Sequence, residues 1–249
     1  MSDEVKNEEK IKVVIHGKVY WFDKNISSVF YFNKKDNTKI NAIFFRTPQK
    51  ISFKIGDIVN KDVEAMSLNF DKNGNINSIS LSTDSPQKIS FKIGDIENKD
   101  VYAKSLNFYK NGNIQSISLS TDSPQKISFK IGDIVNKDVY ASSVHFHTNG
   151  NISNIYFLPI DSLQKISFKI GDIENKDVYA RSPLIFHANG NISNISFDTD
   201  SPQKISFKIG DIDYEVFSNW IRLNDNTLLE NITIIQDIED YFYYKKKEI

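Results

Sequence analysis

Lysines recur in pairs along this sequence, always in the same local context. Five copies of Gln-Lys-Ile-Ser-Phe-Lys-Ile occur, and polar and apolar residues alternate in each copy. Successive side chains of a β-strand point to opposite faces, so both lysines of a copy would share one face. The ten lysines are Lys50, Lys54, Lys88, Lys92, Lys126, Lys130, Lys165, Lys169, Lys204 and Lys208.

Strands of this kind lying side by side would form a row of ammonium groups. Such a row is able to bind phosphates, anionic lipid head groups or acidic polysaccharide. The alternative is a solvated face whose lysines only prevent edge-to-edge aggregation. Each copy also carries aspartates, such as Asp95 and Asp100, that would neutralise the row. We therefore favour the solvated face and keep anion binding as an alternative.

Three tyrosines occupy one variable position of the copies: Tyr102, Tyr140 and Tyr179. They would form an aromatic row, and tyrosine is enriched at protein contact surfaces. The competing interpretation is that the three rings pack against neighbouring hairpins. Both interpretations stay open at this stage.

Metal binding is not predicted. Asp95, Asn98 and Asp100 supply the oxygen ligands that calcium prefers, but their spacing matches no calcium loop and they are ordinary turn residues. His145 and His147 lie two positions apart with no cysteine to complete a zinc site. His147 stands where other copies carry different residue types, which favours a solvent-exposed position.

Catalysis is not predicted either. The sequence contains no Gly-x-Ser-x-Gly elbow, no P-loop, no Gly-x-Gly-x-x-Gly and no cysteine. Its carboxylates recur with the copies, whereas an active site usually needs one asymmetric pocket. We therefore predict a protein that is not an enzyme, with no cofactor.

The elements that position these residues are repeat units. The five copies begin at Gln49, Gln87, Gln125, Gln164 and Gln203, in steps of 38, 38, 39 and 39 residues. Each leads into Asn-Lys-Asp-Val, or a shortened variant, and then into Asn-Gly or a divergent turn. A fixed period of this length is typical of stacked repeats with atypical terminal units.

Local patterns inside a unit predict strands and turns. Gly94-Asp95 fits a type II′ turn, and Asn111-Gly112 fits a type I′ turn that would pair Phe108 with Gln115. Continuing the first hairpin would set Ile89 opposite Asp100. We therefore expect that ladder to end soon after Ile96, with Asn-Lys-Asp as a loop.

The predicted fold is all-β. It is an elongated repeat array, either a β-solenoid or an antiparallel hairpin meander, with a closed propeller as the runner-up. The predicted divisions are a flexible acidic tail (1–11), a divergent half-repeat cap (12–48), four β-repeats (49–202), and a divergent fifth repeat with a C-terminal cap (203–249). Residues 238–249 are a last strand or a capping helix.

An aromatic residue followed by x-x-Asn-Gly-x-Ile, as in Phe108 to Ile114, resembles the hairpin of MORN repeats. It is most similar to the MORN-variant units of bacterial YwqK-like proteins. The resemblance covers about half of each unit. It implies an array of β-hairpins that serves as a scaffold or docking surface.

The composition is that of a folded protein, and its positive and negative side chains are nearly equal in number. Lys and Arg number 31 against 32 Asp and Glu, for a net charge of −1, which argues against dominant non-specific binding to nucleic acid. No specific nucleic-acid partner is expected either. No transmembrane helix or cleaved signal is expected, so we predict a cytoplasmic location, with export by another route left open. We expect a scaffold that binds an unknown protein partner. A fibre-like component of a phage or extracellular assembly, which would self-associate, is the alternative.

Overall fold

The computed structural model describes residues 10–15, 18–23, 26–31, 40–82, 84–158, 163–198 and 200–234. These residues form eighteen β-strands, which confirms the predicted all-β class. None of them lies in a helix long and apolar enough to cross a bilayer. The predictions made for residues 1–9 and for residues after 234 lie outside the described ranges.

The strands are β1 (Lys10–Ile15), β2 (Lys18–Asp23), β3 (Ile26–Tyr31), β4 (Ile40–Ile55), β5 (Ile58–Phe70), β6 (Ile76–Leu81), β7 (Gln87–Ile93), β8 (Ile96–Phe108), β9 (Ile114–Leu119), β10 (Gln125–Ile131), β11 (Ile134–Phe146), β12 (Ile152–Phe157), β13 (Gln164–Ile170), β14 (Ile173–Phe186), β15 (Ile192–Phe197), β16 (Gln203–Ile209), β17 (Ile212–Leu223) and β18 (Leu229–Ile234).

Each unit consists of a leading strand, a long strand and a return strand, for example β7, β8 and β9. The leading strand pairs with the first half of the long strand, and the return strand pairs with its second half. That second half also pairs with the return strand of the preceding unit. For example, Ser105 of β8 pairs with Ser80 of β6. One antiparallel sheet therefore continues from β3 to β18. Within the described residues no ladder joins its two ends, so it is a hairpin meander and not a closed propeller.

The long strands fold back on themselves. In a flat sheet the tip of the β13–β14 hairpin and the turn after β17 would lie roughly 45 Å apart, given about 3.3 Å per residue. The Gly171 N–H at that tip instead donates to the Thr227 carbonyl oxygen in that turn at 3.0 Å. Likewise, the ring centroids of Phe129 in β10 and Phe186 at the end of β14 lie 6.2 Å apart.

The folded sheet thus has two layers. The hairpin layer holds the leading strands and the first halves of the long strands. The sheet layer holds the second halves and the return strands. Phe91 of the hairpin layer and Leu106 and Ile117 of the sheet layer are 0% exposed, so the apolar core lies between the layers.

A β-bulge lies where each internal long strand begins to fold back on itself. The predicted end of the ladder soon after Ile96 was wrong. Phe91 pairs with Asn98, but the ladder continues, and Ile89 pairs with Val101 instead of Asp100. Asp100 is the extra residue and adopts a φ of 53°, a left-handed conformation that aspartate tolerates better than most residues. The bulge keeps Val101 on the apolar face, so Asn-Lys-Asp belongs to the strand and not to a loop.

A buried asparagine links each hairpin to the next. The Asn98 side chain donates to the Ser128 carbonyl oxygen at 3.0 Å and accepts from the Ser128 N–H at 2.7 Å. One amide group thereby replaces two backbone hydrogen bonds between hairpins. Equivalent bridges are made by Asn60, Asn136 and Asn175. In the fifth unit Tyr214 takes this position and stacks on Phe207 at 5.5 Å.

The Gly-Asp and Asn-Gly turns differ in kind. Gly94 has a φ of 60° between paired Ile93 and Ile96, as the predicted type II′ turn requires. At the second turn, only Gly112 has a positive φ, and Phe108 pairs with Ile114. The predicted type I′ turn and the pairing of Phe108 with Gln115 were therefore wrong.

The second turn is a three-residue loop. The Tyr109 N–H donates to the Asn113 carbonyl oxygen at 2.8 Å, and the Gly112 N–H donates to the Tyr109 carbonyl oxygen at 2.9 Å. Such loops place a left-handed residue third, which is the role of glycine here. The asparagine before it needs no positive φ. In the divergent fifth unit Thr227, with a φ of 65°, takes the position of the glycine.

The substitution Thr227→Gly is expected to stabilise the protein by about 0.5–1 kcal/mol. A β-branched residue is strained at positive φ by roughly 1–2 kcal/mol, and the greater freedom of glycine in the unfolded chain offsets part of the gain. The converse change Gly112→Thr should destabilise. Urea unfolding of both variants measures the two effects, and a loss of stability in Thr227→Gly would contradict the assignment of this turn.

Candidate interaction surface

The outward side of the hairpin layer, called here the outer hairpin face, holds all ten predicted lysines. It also holds the three predicted tyrosines, because lysine and tyrosine are cross-strand neighbours. Lys88 pairs with Tyr102, Lys126 with Tyr140 and Lys165 with Tyr179 in the registers of the three hairpins. The inward neighbours of these residues, such as Ile89 and Val101, are buried.

In each of these three units the lysine lies over the tyrosine ring. The distance from Nζ to the ring centroid is 5.5 Å for Lys88 and 5.2 Å for the other two. This is the range of a cation–π contact, worth about 0.5–1 kcal/mol at exposed sites. Tyr140 and Tyr179 remain 37% and 40% exposed. All three tyrosines therefore lie on the outer face, with Tyr102 half-buried and Tyr140 and Tyr179 exposed.

The second lysine of three leading strands is neutralised by the preceding unit. The Nζ atom of Lys92 lies 2.7 Å from a carboxylate oxygen of Asp57 in the preceding Gly-Asp turn, and Lys169 lies 2.8 Å from Asp133. Lys130 forms the same pair with Asp95. The hydrogen bond from lysine holds the pKa of each of these three aspartates below its ordinary value.

Lys92→Gln is expected to raise the pKa of Asp57 towards its ordinary value. The Lys92 hydrogen bond is the main cause of the lowered pKa, and glutamine supplies no charge. Because the folded pKa is depressed, the ion pair stabilises the protein above the ordinary aspartate pKa and is lost as pH falls through the lowered value. Carboxyl carbon NMR titration measures the change. Lys99→Gln is the control and should leave Asp57 unaffected.

The two ends of the lysine row carry their own carboxylates. Lys50 lies opposite Glu64 in the β4–β5 register. Lys204 pairs with Glu215 at 2.7 Å. Lys54 and Lys208 are exposed at the corresponding outer positions, and Lys208 faces Asp213 across the strands.

Exposed apolar side chains lie on the outer hairpin face and on the separate two-stranded sheet of β1 and β2. In β2, Trp21 is 60% exposed and Val19 is 50% exposed, on the side opposite the buried Phe22. Val59 and Val135, opposite the second lysines of their units, are 47% and 39% exposed. Sequence reasoning missed these residues. Val19 and Trp21 are two positions apart and so share the face of β2 opposite Phe22, a pattern that the sequence shows.

The outward side of the sheet layer has a different chemistry. Its central positions are serine and asparagine, as in the cross-strand pairs of Ser78 with Asn107 and Ser80 with Ser105. Many of these groups bond to each other: the Asn107 side chain donates to the Ser116 hydroxyl at 2.9 Å. One apolar ring, that of Phe44 opposite Ser67, is 41% exposed on this side. Because many of the polar groups already bond to each other, this side offers less to a protein ligand.

The candidate calcium residues have separate roles. Asp95 pairs with Lys130, Asn98 bridges to the next hairpin, and Asp100 forms the bulge. No group of three or more potential metal ligands occurs in the described ranges.

The histidines are not the exposed positions expected from the sequence. The Nε2 atoms of His147 and His187 lie 3.1 and 2.8 Å from backbone carbonyl oxygens of Phe186 and Leu223 in the following units. Tyr109 makes the same contact with its hydroxyl group. His145 packs on Tyr156, and burial lowers its pKa. In these three units the variable position is therefore a unit-to-unit contact made by a side chain that bears a donor. In the preceding unit Asp71 takes this position and accepts hydrogen bonds from the Asn73 and Asn75 N–H groups of its own turn.

Comparisons with protein-family models, curated proteins and solved structures found no match to this chain.

Proposed function

We propose that this protein is a non-catalytic β-repeat scaffold that binds a protein partner along the outer hairpin face. The observation that carries the proposal is the concentration of partly exposed tyrosine and valine among lysines on this one face. Tyrosine and tryptophan are the side chains that most often dominate binding energy at interfaces. A cytoplasmic location and a docking role of the kind that the MORN resemblance implies belong to the same proposal.

Extended faces of repeat arrays suit such a role because they provide contact area without a pocket. Neighbouring hairpins are fixed relative to each other by the buried asparagine bridges. The face is therefore organised before the partner binds, which lowers the entropy cost of binding.

A second candidate is end-to-end self-association into a fibre. Ile209 is 59% exposed and Ile212 is 40% exposed at the C-terminal end of the array, whereas the equivalent Ile93 is 2% exposed inside it. A second copy of the chain could cover these two side chains. A third candidate is binding of an anionic lipid surface or polysaccharide through the lysines.

A capture experiment with the full array as bait tests the first candidate. The matched control bait lacks residues 87–163, two whole units, so that the remaining units keep their order. A specific partner that is lost with the deletion supports the scaffold. Multi-angle light scattering on the same protein tests the second candidate, which predicts concentration-dependent multimers. Equal capture by both baits would contradict the proposed role of the central units.

A further inference from the structure

The three lysine–tyrosine pairs on the outer hairpin face have a spacing that selects a particular kind of partner. Resting on the proposed function, we infer that they bind an acidic segment in the polyproline II conformation, with carboxylates at positions i, i+3 and i+6. The pairs are Lys88 with Tyr102, Lys126 with Tyr140 and Lys165 with Tyr179.

The repeat distance follows from the sheet layer. Each unit adds one long strand and one return strand to the continuous sheet. Neighbouring strands lie about 4.8 Å apart, so each unit advances the array by about 10 Å. The hairpin of each unit is part of the same chain, so the lysine–tyrosine pairs recur at about this distance as well.

A peptide in the polyproline II conformation matches this distance with three residues. It has three residues per turn and rises about 3.1 Å per residue, so the side chains at i, i+3 and i+6 point to one side about 9 Å apart. A segment of this kind lying across the hairpins would therefore bring every third side chain to the next pair. Carboxylates at every second position would advance only about 6 Å per step and would not stay on one side of the segment.

The row is limited to three pairs. At one end Lys50 faces Glu64, and at the other end Lys204 is paired with Glu215. Neither end unit has a tyrosine opposite its lysine, because Glu64 and Phe217 take that position, and Glu215 already pairs with Lys204. The segment recognised is therefore about seven residues long, from the first carboxylate to the third.

Each pair offers a suitable site for one carboxylate. Lys88, Lys126 and Lys165 have exposed side chains. Among the described residues, none of their ammonium groups has a carboxylate within ion-pairing distance. The ring below each ammonium group restricts its rotamers, so less side-chain entropy is lost on binding. Each exposed ion pair should contribute about two- to five-fold in affinity.

Fluorescence anisotropy with labelled nine-residue peptides tests the inference. One peptide carries glutamate at positions 2, 5 and 8, with glycine and serine elsewhere. The second has the same composition with glutamate at positions 3, 5 and 7. At low ionic strength the first peptide is expected to bind at least five-fold more tightly.

The triple variant Lys88→Gln, Lys126→Gln, Lys165→Gln should weaken binding of the first peptide at least ten-fold. The matched control removes the same number of positive charges from the same three units. It replaces three exposed lysines at the bulges: Lys99→Gln, Lys137→Gln and Lys176→Gln. This control should bind the peptide within two-fold of the wild type. Circular dichroism melting shows whether both variants keep the fold.

Equal affinity for the two peptides, or binding of neither, overturns the inference. So does binding that survives the triple substitution. Tighter binding to anionic vesicles or to heparin than to either peptide identifies a general anion site and also overturns it. These failures are distinct from failure of the proposed function, because a captured protein that requires the central units would still support a scaffold.

Discussion

Phe129→Ala is expected to lower the free energy of unfolding by about 3–5 kcal/mol, the usual range for a fully buried phenylalanine. Phe129 is 0% exposed and joins the two layers through its edge-to-face contact with Phe186. Alanine would leave a cavity that the flanking strands cannot close, because both layers are fixed by backbone ladders. Urea unfolding followed by circular dichroism measures the loss.

The matched control is Phe53→Ala, the same position in the first unit. Phe53 is half-buried and borders a groove of about 270 Å³ together with Ile76 and Phe108. Truncation there should cost less than half as much, since part of the ring is already in water. Equal losses at the two positions would contradict the layer arrangement in which Phe129 is fully enclosed and Phe53 is not.

Asn98→Ala is expected to destabilise the array by about 2–4 kcal/mol. The substitution removes both partners of the Ser128 backbone, whose N–H and carbonyl oxygen face the gap between two hairpins. A buried backbone group left without a partner costs about 1–3 kcal/mol. The shift of the urea midpoint and faster amide exchange at Ser128 are the two measurements.

Asn111→Ala provides the comparison for this effect. The exposed Asn111 side chain donates to the Thr148 carbonyl oxygen at 3.2 Å, also between units. Water can replace that bond, so the expected cost is below about 1 kcal/mol. A midpoint shift in Asn98→Ala as small as that in Asn111→Ala would show that hairpins do not depend on the buried bridge.

The sequence was sufficient for the all-β class and the repeated hairpins. The alternation in Gln-Lys-Ile-Ser-Phe-Lys-Ile determines which face of the leading strand is apolar. Gly94, at the first central position of the Gly-Asp turn, determines the type II′ geometry of that turn. Both follow from local chemistry, which a single sequence displays directly. The fold of the long strand was not predicted, because it depends on contacts such as that between Phe129 and Phe186, 57 positions apart.

The bulge shows where local reasoning failed. Asp100 opposite Ile89 was interpreted as the end of a ladder, because an acid cannot face an apolar core. The chain resolves the conflict by inserting Asp100 as an extra residue, which a left-handed φ allows. In the fifth unit Asp-Ile-Asp-Tyr-Glu-Val is one residue shorter than Asp-Ile-Glu-Asn-Lys-Asp-Val, and its hairpin pairs without a bulge.

The candidate surface was predictable in part. Both the lysines and the tyrosines could be identified from the repeats, but not their cross-strand pairing, because the bulge sets which tyrosine faces which lysine. Neutralisation of Lys92, Lys130 and Lys169 was foreseen only as a general effect of nearby aspartates. Their partners belong to the preceding unit, 35 or 36 positions away.

Capture of the protein partner by two face-specific variants of the full array tests the central claim most directly. The first variant changes the outer hairpin face: Tyr102→Ser, Tyr140→Ser, Tyr179→Ser. The second changes the opposite side of the molecule without altering net charge: Ser80→Lys, Ser118→Glu. Loss of the partner from the first variant alone, with both variants folded, is the predicted result. Retention by the first variant and loss from the second would contradict the assignment of the outer hairpin face.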